Sequence, residues 1–320
     1  MFVTGAAGFI GSWLSESLCR RGARVTALVW PPAEESRWRP LLDFEGVDVV
    51  TGRVEDLQGI ERILRDAGSD TVFHLAAINV NVGSEISPLA LFETNIRGTW
   101  SVLEACRLLP RIERVVVASS REAEDAPPAP RFGNAPPRRK RHPYQASKVS
   151  AELVAQAYSD TYNLPVVISR SDNVYGGRDL NWSRLIPGTV RSLLSGEAPV
   201  LRSDGSLVRD YVHVDDMVDA YLLLAARAAE SSVRGEVFHF ATGTSTSALE
   251  IVTQLCELTG RPGLKPVIQH RTSDERVNQT RSTARERDLL GWTSHVGIRE
   301  GLRSTVDWYR DYFIRGAGAC

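Results

Sequence analysis

Short apolar runs alternate with amphipathic stretches along the first half of the chain. Apolar runs bounded by turn residues predict strands, and apolar positions at helical spacing predict helices. The predicted strands are Phe2–Thr4, Arg24–Val29, Val47–Thr51, Thr71–Ala76, Glu113–Ala118 and Val166–Ser169. The predicted helices are a segment that runs to Arg21, then Leu57–Ala67, Leu89–Leu108 and Tyr144–Tyr162. Because strand and helix alternate, we expect an α/β fold with a doubly wound parallel sheet.

A glycine-rich turn, Gly5-Ala-Ala-Gly8-Phe-Ile-Gly11, follows the first strand directly and opens the first predicted helix. Glycines allow a tight turn, and the N–H groups at a helix start favour an anion such as a pyrophosphate. The order of strand, glycine turn and helix therefore predicts a Rossmann dinucleotide-binding turn, rather than a glycine turn without a ligand. Ligands of such sheets bind outside the carboxyl ends of the strands, where His74-Leu-Ala-Ala77 and Ser119-Ser120 also fall.

The alternating pattern loosens after about residue 172. A strand is predicted at Val237–Ala241, and Ser247-Ala-Leu-Glu250 and Thr283-Ala-Arg-Glu286 both match the capping box of a helix start. We therefore predict a dinucleotide-binding Rossmann domain over residues 1–172, with returning segments from the C-terminal half. Residues 173–320 are expected to form mainly a smaller α/β substrate lobe over the carboxyl edge of the sheet.

Composition narrows the possible partners. The chain is 42% hydrophobic and 24% charged, with a net charge of −1, which argues against a nucleic-acid-binding surface. No apolar run approaches the roughly 20 residues of a membrane span, and the start does not resemble a signal peptide, so we expect a cytoplasmic protein without a membrane partner. The four cysteines show no CxxC spacing, and no His/Cys cluster predicts a metal site.

Tyr144 and Lys148 are four residues apart, so a helix places both side chains on one face. Because the chain has eight tyrosines and only three lysines, this spacing is improbable by chance. A nearby ammonium lowers the pKa of a phenol from its usual value of about 10. The pair therefore predicts a general base that works near neutral pH.

Motifs along nearly the whole chain resemble those of the extended short-chain dehydrogenase/reductase family, the NAD-dependent sugar-nucleotide dehydratases and epimerases. The matching segments are Thr4-Gly-Ala-Ala-Gly-Phe-Ile-Gly11, His74-Leu-Ala-Ala77, Thr94-Asn95, Ser119-Ser120, Tyr144xxxLys148, Asn173-Val-Tyr-Gly176 and Arg209-Asp-Tyr-Val212. Within the family, Tyr175–Gly188, Arg202–Gly205 and Leu289–Trp292 look most like the CDP-glucose 4,6-dehydratases and their relatives.

The resemblance implies roles for individual residues. Tyr144 would remove the proton from a sugar hydroxyl while hydride leaves that carbon for the nicotinamide, and Lys148 would hold the ribose and lower the Tyr pKa. Ser120 would hydrogen-bond the same sugar oxygen, although a strand-end hydroxyl that caps backbone is the alternative. The implied cofactor contacts are Gly5, Ala7, Gly8, Phe9, Ile10, Gly11, Arg53, Val54, Leu75, Ala76, Ala77, Asn95, Tyr144 and Lys148.

The implied substrate contacts are Arg121, Asn173, Leu185 and Arg209. Arg209 would pair with a substrate phosphate, for which a bidentate guanidinium is well shaped, or would form a surface salt bridge instead. Asn173 would touch the substrate or its diphosphate, or serve as a turn residue.

The region that binds the adenosine departs from the family pattern. The second strand ends at Val29-Trp30-Pro31 without the usual acid. The nearest acids are Glu34 and Glu35, and Arg37 or Arg39 would suit a 2′-phosphate, so NAD is the expected cofactor and NADP the alternative. The usual Asp after the third strand is absent, while Asp56 follows three residues later. Arg53 would stack on the adenine or face solvent.

The residues after Ser120 depart as well. Close dehydratase relatives tend to carry an Asp there as the acid that expels water, whereas this chain has Arg121 and then Glu122. Arginine cannot donate a proton at ordinary pH. Glu122 stands where several dehydratases and decarboxylases of the family carry a catalytic Glu, so we interpret it as a base.

The favoured function is therefore a sugar-nucleotide 4,6-dehydratase, with Ser120, Glu122, Tyr144 and Lys148 as catalytic residues. The alternatives are a 4-epimerase, a decarboxylase, or a dehydratase of a nucleoside-type sugar. A dinucleotide sensor without chemistry is a further alternative, although it would be expected to lose the Tyr/Lys pair. The resemblance also implies a homodimer formed through Leu89–Leu108 and Tyr144–Tyr162 as a four-helix contact.

Overall fold

The computed structural model describes residues 1–30, 41–79, 87–124, 142–270 and 282–316. The chain divides into two compact units. The first comprises Met1–Ser171 and Tyr221–His239, and the second comprises Asp172–Ala220 and Phe240–Cys320. The division at Asp172 falls where the sequence pattern loosens. The assignment of the cofactor to one unit and of the substrate to the other stays a prediction.

A seven-stranded sheet organises the first unit, with the strand order β10-β6-β5-β4-β1-β2-β3. Its strands are β1 (Phe2–Thr4), β2 (Val25–Val29), β3 (Val47–Thr51), β4 (Thr71–His74), β5 (Arg114–Ala118), β6 (Val166–Ser171) and β10 (Val237–Phe240). Neighbouring strands from β3 through β6 pair in parallel. Because the order reverses between β1 and β4, the sheet is doubly wound in the Rossmann manner, which confirms the predicted fold class.

Burial explains why these segments become strands. Every residue of β2 and the three central valines of β5 are buried, as expected for parallel strands covered on both faces. Edge strand β3 keeps exposed positions. The strand predicted as Thr71–Ala76 ends at His74, and the following residues Leu75 and Ala76 pass beside Gly5 of the glycine turn.

Helices flank the strands of the first unit. They are α1 (Phe9–Arg20), α2 (Leu57–Asp66), α3 (Pro88–Phe92), α4 (Gly98–Leu108) and α5 (Pro143–Tyr162). The single helix predicted over Leu89–Leu108 is interrupted, because a π-helical turn at Glu93–Arg97 separates α3 from α4. Such turns are often found at functional sites, and this one carries Asn95.

The second unit contains two small sheets. One has the order β11-β9-β7, with β9 antiparallel to β11 and parallel to β7, and the other pairs β12 with β8. The strands are β7 (Asn173–Tyr175), β8 (Val200–Leu201), β9 (Val208–His213), β11 (Ser245–Ser247) and β12 (Val267–Ile268). The helices are α6 (Leu185–Leu194), α7 (Val214–Arg227, which continues into the first unit), α8 (Ala248–Leu258), α9 (Ala284–Leu290) and α10 (Ile298–Ile314). Across the described parts of the chain, none of the helices has the length and apolar character needed to cross a membrane.

The two predicted capping boxes have different outcomes. At the start of α8, Ser247 Oγ accepts from Glu250 N–H while the Glu250 carboxylate accepts from Ser247 N–H, so this prediction is confirmed. At the start of α9 the prediction is wrong, because Thr283 makes no side-chain capping bond. Its backbone has φ −102° and ψ 20° instead of the extended conformation from which an N-cap hydroxyl reaches the first turn.

We expect the Ser247→Ala variant to lose about 1 kcal/mol of unfolding free energy, because it leaves the N–H group of Glu250 without its acceptor at the start of α8. The matched Thr283→Ala variant should change stability by less than about 0.5 kcal/mol. Urea unfolding of both variants measures the difference. Equal losses would contradict the assignment of the two caps.

Candidate active site

The glycine turn after β1 is shaped for close approach of a ligand. Gly5 has φ +69°, and a Cβ on it would lie 2.7 Å from the backbone nitrogen of Ala76. A Cβ on Gly11 would clash with the carbonyl oxygen of Gly5. Gly8 is exposed and begins α1 without a side-chain capping bond or an acid in the first turn. The N–H groups at this helix start therefore fit the pyrophosphate of a dinucleotide.

A buried hydrogen-bond chain begins at the end of β1. Thr4 Oγ1 lies 2.8 Å from His74 Nδ1, and His74 Nε2 lies 3.1 Å from Thr99 Oγ1. Because the Thr99 hydroxyl donates to the carbonyl oxygen of Asn95, we assign the hydrogen of His74 to Nε2 and the acceptor to Nδ1. Burial, with the charge of Lys148 as a smaller cause, lowers the pKa of His74 to about 3 and keeps the ring neutral.

Asn95 connects this series of hydrogen bonds to the helix that carries Tyr144. Its Oδ1 accepts from Ile78 N–H at 2.7 Å, and its Nδ2 donates to Ile78 O and Ser147 Oγ at 2.9 and 3.0 Å. The Ser147 hydroxyl in turn donates to the carbonyl oxygen of Tyr144 at 2.7 Å. Since both amide hydrogens of Asn95 are engaged, its side chain supports the site from behind, and the predicted direct contact with the cofactor stays a prediction.

Tyr144 and Lys148 lie one turn apart on α5 and are 8% and 6% exposed. The ammonium of Lys148 donates to the carbonyl oxygen of Ala118, the last residue of β5, at 3.1 Å. Burial lowers the pKa of Lys148 to about 8, and the charge of Glu152 acts in the opposite direction. The side chain of Lys148 is thus charged at neutral pH and held at the carboxyl end of the central strands.

The structure places Glu152 and Arg170 near Lys148, and the sequence analysis predicted neither of these two residues. Arg170 Nε and Nη2 donate to the two oxygens of Glu152 at 2.7 and 2.5 Å. The hydroxyl of Ser119 donates to Glu152 at 2.5 Å. The sequence contained one signal, because Glu152 follows Lys148 by four residues, but the partner at the end of β6 depends on the fold.

A 3-10 turn, Arg121–Ala123, carries the residues that depart from the family pattern. Ser120 Oγ accepts from Glu122 N–H at 3.3 Å, so Ser120 does cap backbone as the alternative interpretation held. This bond uses a lone pair of the hydroxyl and not its hydrogen. Gln145 Nε2 donates to the carbonyl oxygen of Glu122 at 3.0 Å, which ties the turn to the first turn of α5. The side chain of Glu122 is exposed.

A cation–aromatic pair, Arg53 and Trp30, lies at the ends of β2 and β3. The guanidinium of Arg53 lies 5.9 Å from the ring centre of Trp30, and Arg53 Nε lies 3.5 Å from a Glu55 oxygen. Asp56 caps α2 by accepting from Gly59 N–H at 3.0 Å, so its carboxylate has a structural partner. The acids and arginines considered for the ribose lie outside the described residues; they are Glu34, Glu35, Arg37 and Arg39.

Three predicted substrate residues lie in the second unit. Asn173 begins β7 and donates from Nδ2 to the carbonyl oxygen of Asp210 at 3.1 Å, so it is a strand residue and not a turn residue. Arg209 lies on β9 opposite Thr246 of β11. Leu185 is the first residue of α6. Within the described ranges, no His, Cys, Asp and Glu side chains gather as a metal site would require.

Comparison with known proteins identifies the family. The model of the NAD dependent epimerase/dehydratase family matches residues 1–241. The UDP-glucose 4-epimerase of Mycolicibacterium smegmatis is 32% identical to the chain, over 97% of the chain and 98% of that protein.

Two solved structures, one of an epimerase and one of a dehydratase, are also similar to this chain. The UDP-glucose 4-epimerase of Thermotoga maritima, solved with UDP-glucose, is 29% identical with a TM-score of 0.84, over 98% of this chain and 99% of the other. The dTDP-glucose 4,6-dehydratase of Streptomyces venezuelae, solved with NAD bound, is 29% identical with a TM-score of 0.81, over 97% and 96%.

These relatives settle the enzyme class and leave the nucleotide open. The predictions of an NAD-using enzyme and of NAD as its cofactor are confirmed. The narrower likeness to CDP-glucose 4,6-dehydratases is not tested by dTDP- and UDP-sugar enzymes and stays a prediction. The resemblance to extended short-chain dehydrogenases/reductases is confirmed, and the chain belongs to the NAD dependent epimerase/dehydratase family.

Proposed function

We propose that this chain is a sugar-nucleotide 4,6-dehydratase, which oxidises its substrate transiently at C4 and then eliminates water across C5 and C6. One observation carries the proposal: the buried ammonium of Lys148 rests on the carbonyl of Ala118, one helical turn from Tyr144. Ser120 follows Ala118 by two residues, so all three side chains belong to one end of the sheet. This arrangement fits removal of a hydroxyl proton beside a bound nicotinamide.

The residues of the first unit fit NAD as the resident cofactor. The glycine turn Gly5–Gly11 would hold the pyrophosphate, since Gly5 and Gly11 leave no room for a Cβ and α1 begins without a side-chain cap on its first N–H groups. Arg53 and Val54 would lie near the adenosine, and Leu75–Ala77 would line the path to the nicotinamide. When bound, NAD supplies the acceptor, and later the donor, of a hydride.

Tyr144 would act as the first base and take the proton of the C4 hydroxyl. The positive charge of Lys148 favours the phenolate over the phenol, and its ammonium would also donate to the nicotinamide ribose. The hydroxyl of Ser120 would donate to the C4 oxygen, because its bond to Glu122 N–H leaves its hydrogen available for an acceptor. The three groups together would stabilise negative charge at that oxygen.

Glu122 would remove the C5 proton, whose acidity rises once C4 is a ketone. Two contacts support this role: the turn that holds Glu122 is tied to Ser120 and to Gln145, which neighbours Tyr144. Its exposed carboxylate stays available as a base. Arg121 cannot deliver the proton that expels the C6 hydroxyl as water, so Glu122 would pass the proton that it took from C5 to the leaving hydroxyl, and Arg121 would stabilise negative charge in the substrate. The hydride would then return to C6, and C5 would take a proton that has exchanged with solvent, which gives a 4-keto-6-deoxy sugar.

A 4-epimerase is the second candidate. Arg121 favours it, because the acid that close dehydratase relatives tend to carry after Ser120 is absent. Epimerisation needs only Tyr144, Lys148, Ser120 and a ketone that can turn over in the site. Equal identities of 29% to a 4-epimerase and to a dehydratase do not separate the two. A decarboxylase remains the third possibility, with Arg121 as the partner of a substrate carboxylate.

The second unit would bind the nucleotide diphosphate. The guanidinium of Arg209 has the planar shape that matches a phosphate. Asn173 would contribute a polar side chain from the neighbouring strand, and Leu185 would contribute an apolar surface at the start of α6. A structural relative solved with UDP-glucose supports a sugar-nucleotide substrate.

A homodimer would form through the exposed faces of α3, α4 and α5, since α3 and α4 each pack against α5 in the first unit. Apolar side chains remain exposed on these helices: Leu89 is 70% exposed, Leu153 62%, Tyr162 55% and Leu108 43%. Several large apolar side chains exposed on one group of helices favour a protein contact. A second copy of the same face would bury them in a four-helix arrangement.

The Tyr144→Phe variant tests the oxidation step. On addition of the sugar nucleotide, the wild-type protein should show transient absorbance of reduced nicotinamide, and the variant should form it about 10²–10⁴ times more slowly. Tyr162→Phe, at an exposed position of the same helix, is the control and should keep the wild-type rate. A wild-type rate in Tyr144→Phe would contradict the assignment of the base.

The Glu122→Gln variant tests the elimination step separately. Nicotinamide reduction should persist, while exchange of the C5 proton with deuterated water and loss of water should fall about 10²–10⁴-fold. Undiminished C5 exchange in Glu122→Gln would contradict its role as the base. Absence of exchange in the wild type would instead favour the 4-epimerase.

The Leu153→Asp variant tests the dimer. Light scattering after gel filtration should give twice the chain mass for the wild type and a single chain mass for the variant, because a carboxylate would be buried without a partner. Leu249→Asp, at a 40% exposed position of α8 in the second unit, should remain dimeric. A monomeric wild type would contradict the proposed assembly.

A further inference from the structure

Glu152 continues the catalytic stripe of α5. Tyr144, Lys148 and Glu152 follow one another at intervals of four residues, so they share one face of the helix. Glu152 is only 5% exposed. Burying a carboxylate is costly unless it is paired and hydrogen-bonded, and helix formation does not require an acid at this position.

The partners of Glu152 tie it to the strand end on which Lys148 rests. Its carboxylate accepts two bonds from Arg170 and one from the hydroxyl of Ser119. Ser119 lies between Ala118, whose carbonyl holds Lys148, and Ser120. Displacing Glu152 would therefore remove the side-chain anchor of Ser119, which joins the residues that position Lys148 and the candidate site.

The negative charge of Glu152 also acts on the two cations near it. The buried Lys148 and the partly buried Arg170 are both cations, and Glu152 is the acid that acts on both of them. Arg170 keeps its proton at any ordinary pH, so Lys148 is the cation that responds when the balance changes.

The other titratable groups near the pair are few among the described residues. His74 faces Lys148 from β4 and is neutral, because burial lowers its pKa to about 3. Glu124 acts on Arg170 and lies 3.4 Å from His239 of β10. None of these three supplies a negative charge directly to Lys148, so the carboxylate of Glu152 is the counter-charge that its ammonium feels.

We propose that Glu152 is a positioning residue that holds Lys148 in its ammonium form beside Tyr144, with Arg170 setting how much of the carboxylate charge reaches Lys148. The role of the ammonium in catalysis rests on the proposed function, whereas its charge state does not. Without the carboxylate, burial and the repulsion from Arg170 would release the proton of Lys148 at a lower pH. Tyr144 would then lose the cation that favours its phenolate form.

The scarcity of lysine allows a direct measurement. The chain contains Lys140, Lys148 and Lys265, so protein made with lysine carrying ¹³C at Cε gives three side-chain NMR signals. The Lys148→Arg variant assigns the signal of Lys148. In Glu152→Gln the midpoint of its titration should fall by at least about one pH unit, a tenfold change in proton affinity. The control is Glu104→Gln, which breaks another bidentate pair, with Arg107, and should leave the midpoint in place.

A double-mutant cycle separates charge from structural support. Adding Arg170→Met to Glu152→Gln removes the repelling cation, so the Lys148 midpoint should rise again relative to Glu152→Gln alone. If the Glu152→Gln variant does not fold, the effect of the carboxylate can be measured by comparing Arg170→Met with the double variant, because neither contains an unpaired guanidinium. The Lys148 midpoint must then be lower in the double variant than in Arg170→Met.

Activity provides the second readout. In Glu152→Gln the high-pH limb of the kcat profile should move to lower pH together with the NMR midpoint, while KM changes little. A Lys148 midpoint that does not move in Glu152→Gln overturns the inference, whatever the activity. A midpoint that moves in a protein that reduces no nicotinamide supports the inference and counts against the proposed function alone.

Discussion

The buried ammonium of Lys148 at the end of β5 is the interaction on which the candidate site depends. An ammonium loses favourable hydration when it is buried, and its lowered pKa of about 8 records that cost. The fold offsets it with the carbonyl of Ala118 and the carboxylate of Glu152, and the latter is held by Arg170 and Ser119. The local balance leaves the cation charged at neutral pH beside a tyrosine, where a positive charge is chemically useful.

The doubly wound sheet brings the parts of the site to one edge. Parallel strands end on the same side, so the glycine turn after β1, the loop after β4 and Ser119-Ser120 after β5 lie at the same edge of the sheet. Asn95, on the π-helical turn, connects the loop after β4 to α5 through Ile78 and Ser147. The neutral ring of His74 connects β1 to the same turn. Buried polar chains of this kind fix geometry because every member is satisfied.

Local patterns in the sequence predicted what depends on local spacing. The glycine turn, the Tyr144–Lys148 pair and the alternation of strands and helices need no partner elsewhere in the chain. The pairing of Glu152 with Arg170 was not predictable, because the two residues meet only when α5 packs against β6. The π-helical turn interrupts a segment whose apolar spacing is typical of one continuous helix. Thr283 matched a capping motif, but its backbone conformation, which depends on tertiary context, prevents the bond.

The mass of the product tests most directly whether the chain removes water from a sugar nucleotide by way of a C4 ketone. Purified protein can be incubated with dTDP-, CDP- and UDP-glucose in ordinary and in deuterated water, and the products analysed by mass spectrometry. We predict that one of these substrates loses a molecule of water and gains one carbon-bound deuterium in the deuterated solvent. An unchanged mass in both solvents for every sugar nucleotide that reduces the bound nicotinamide would contradict the claim.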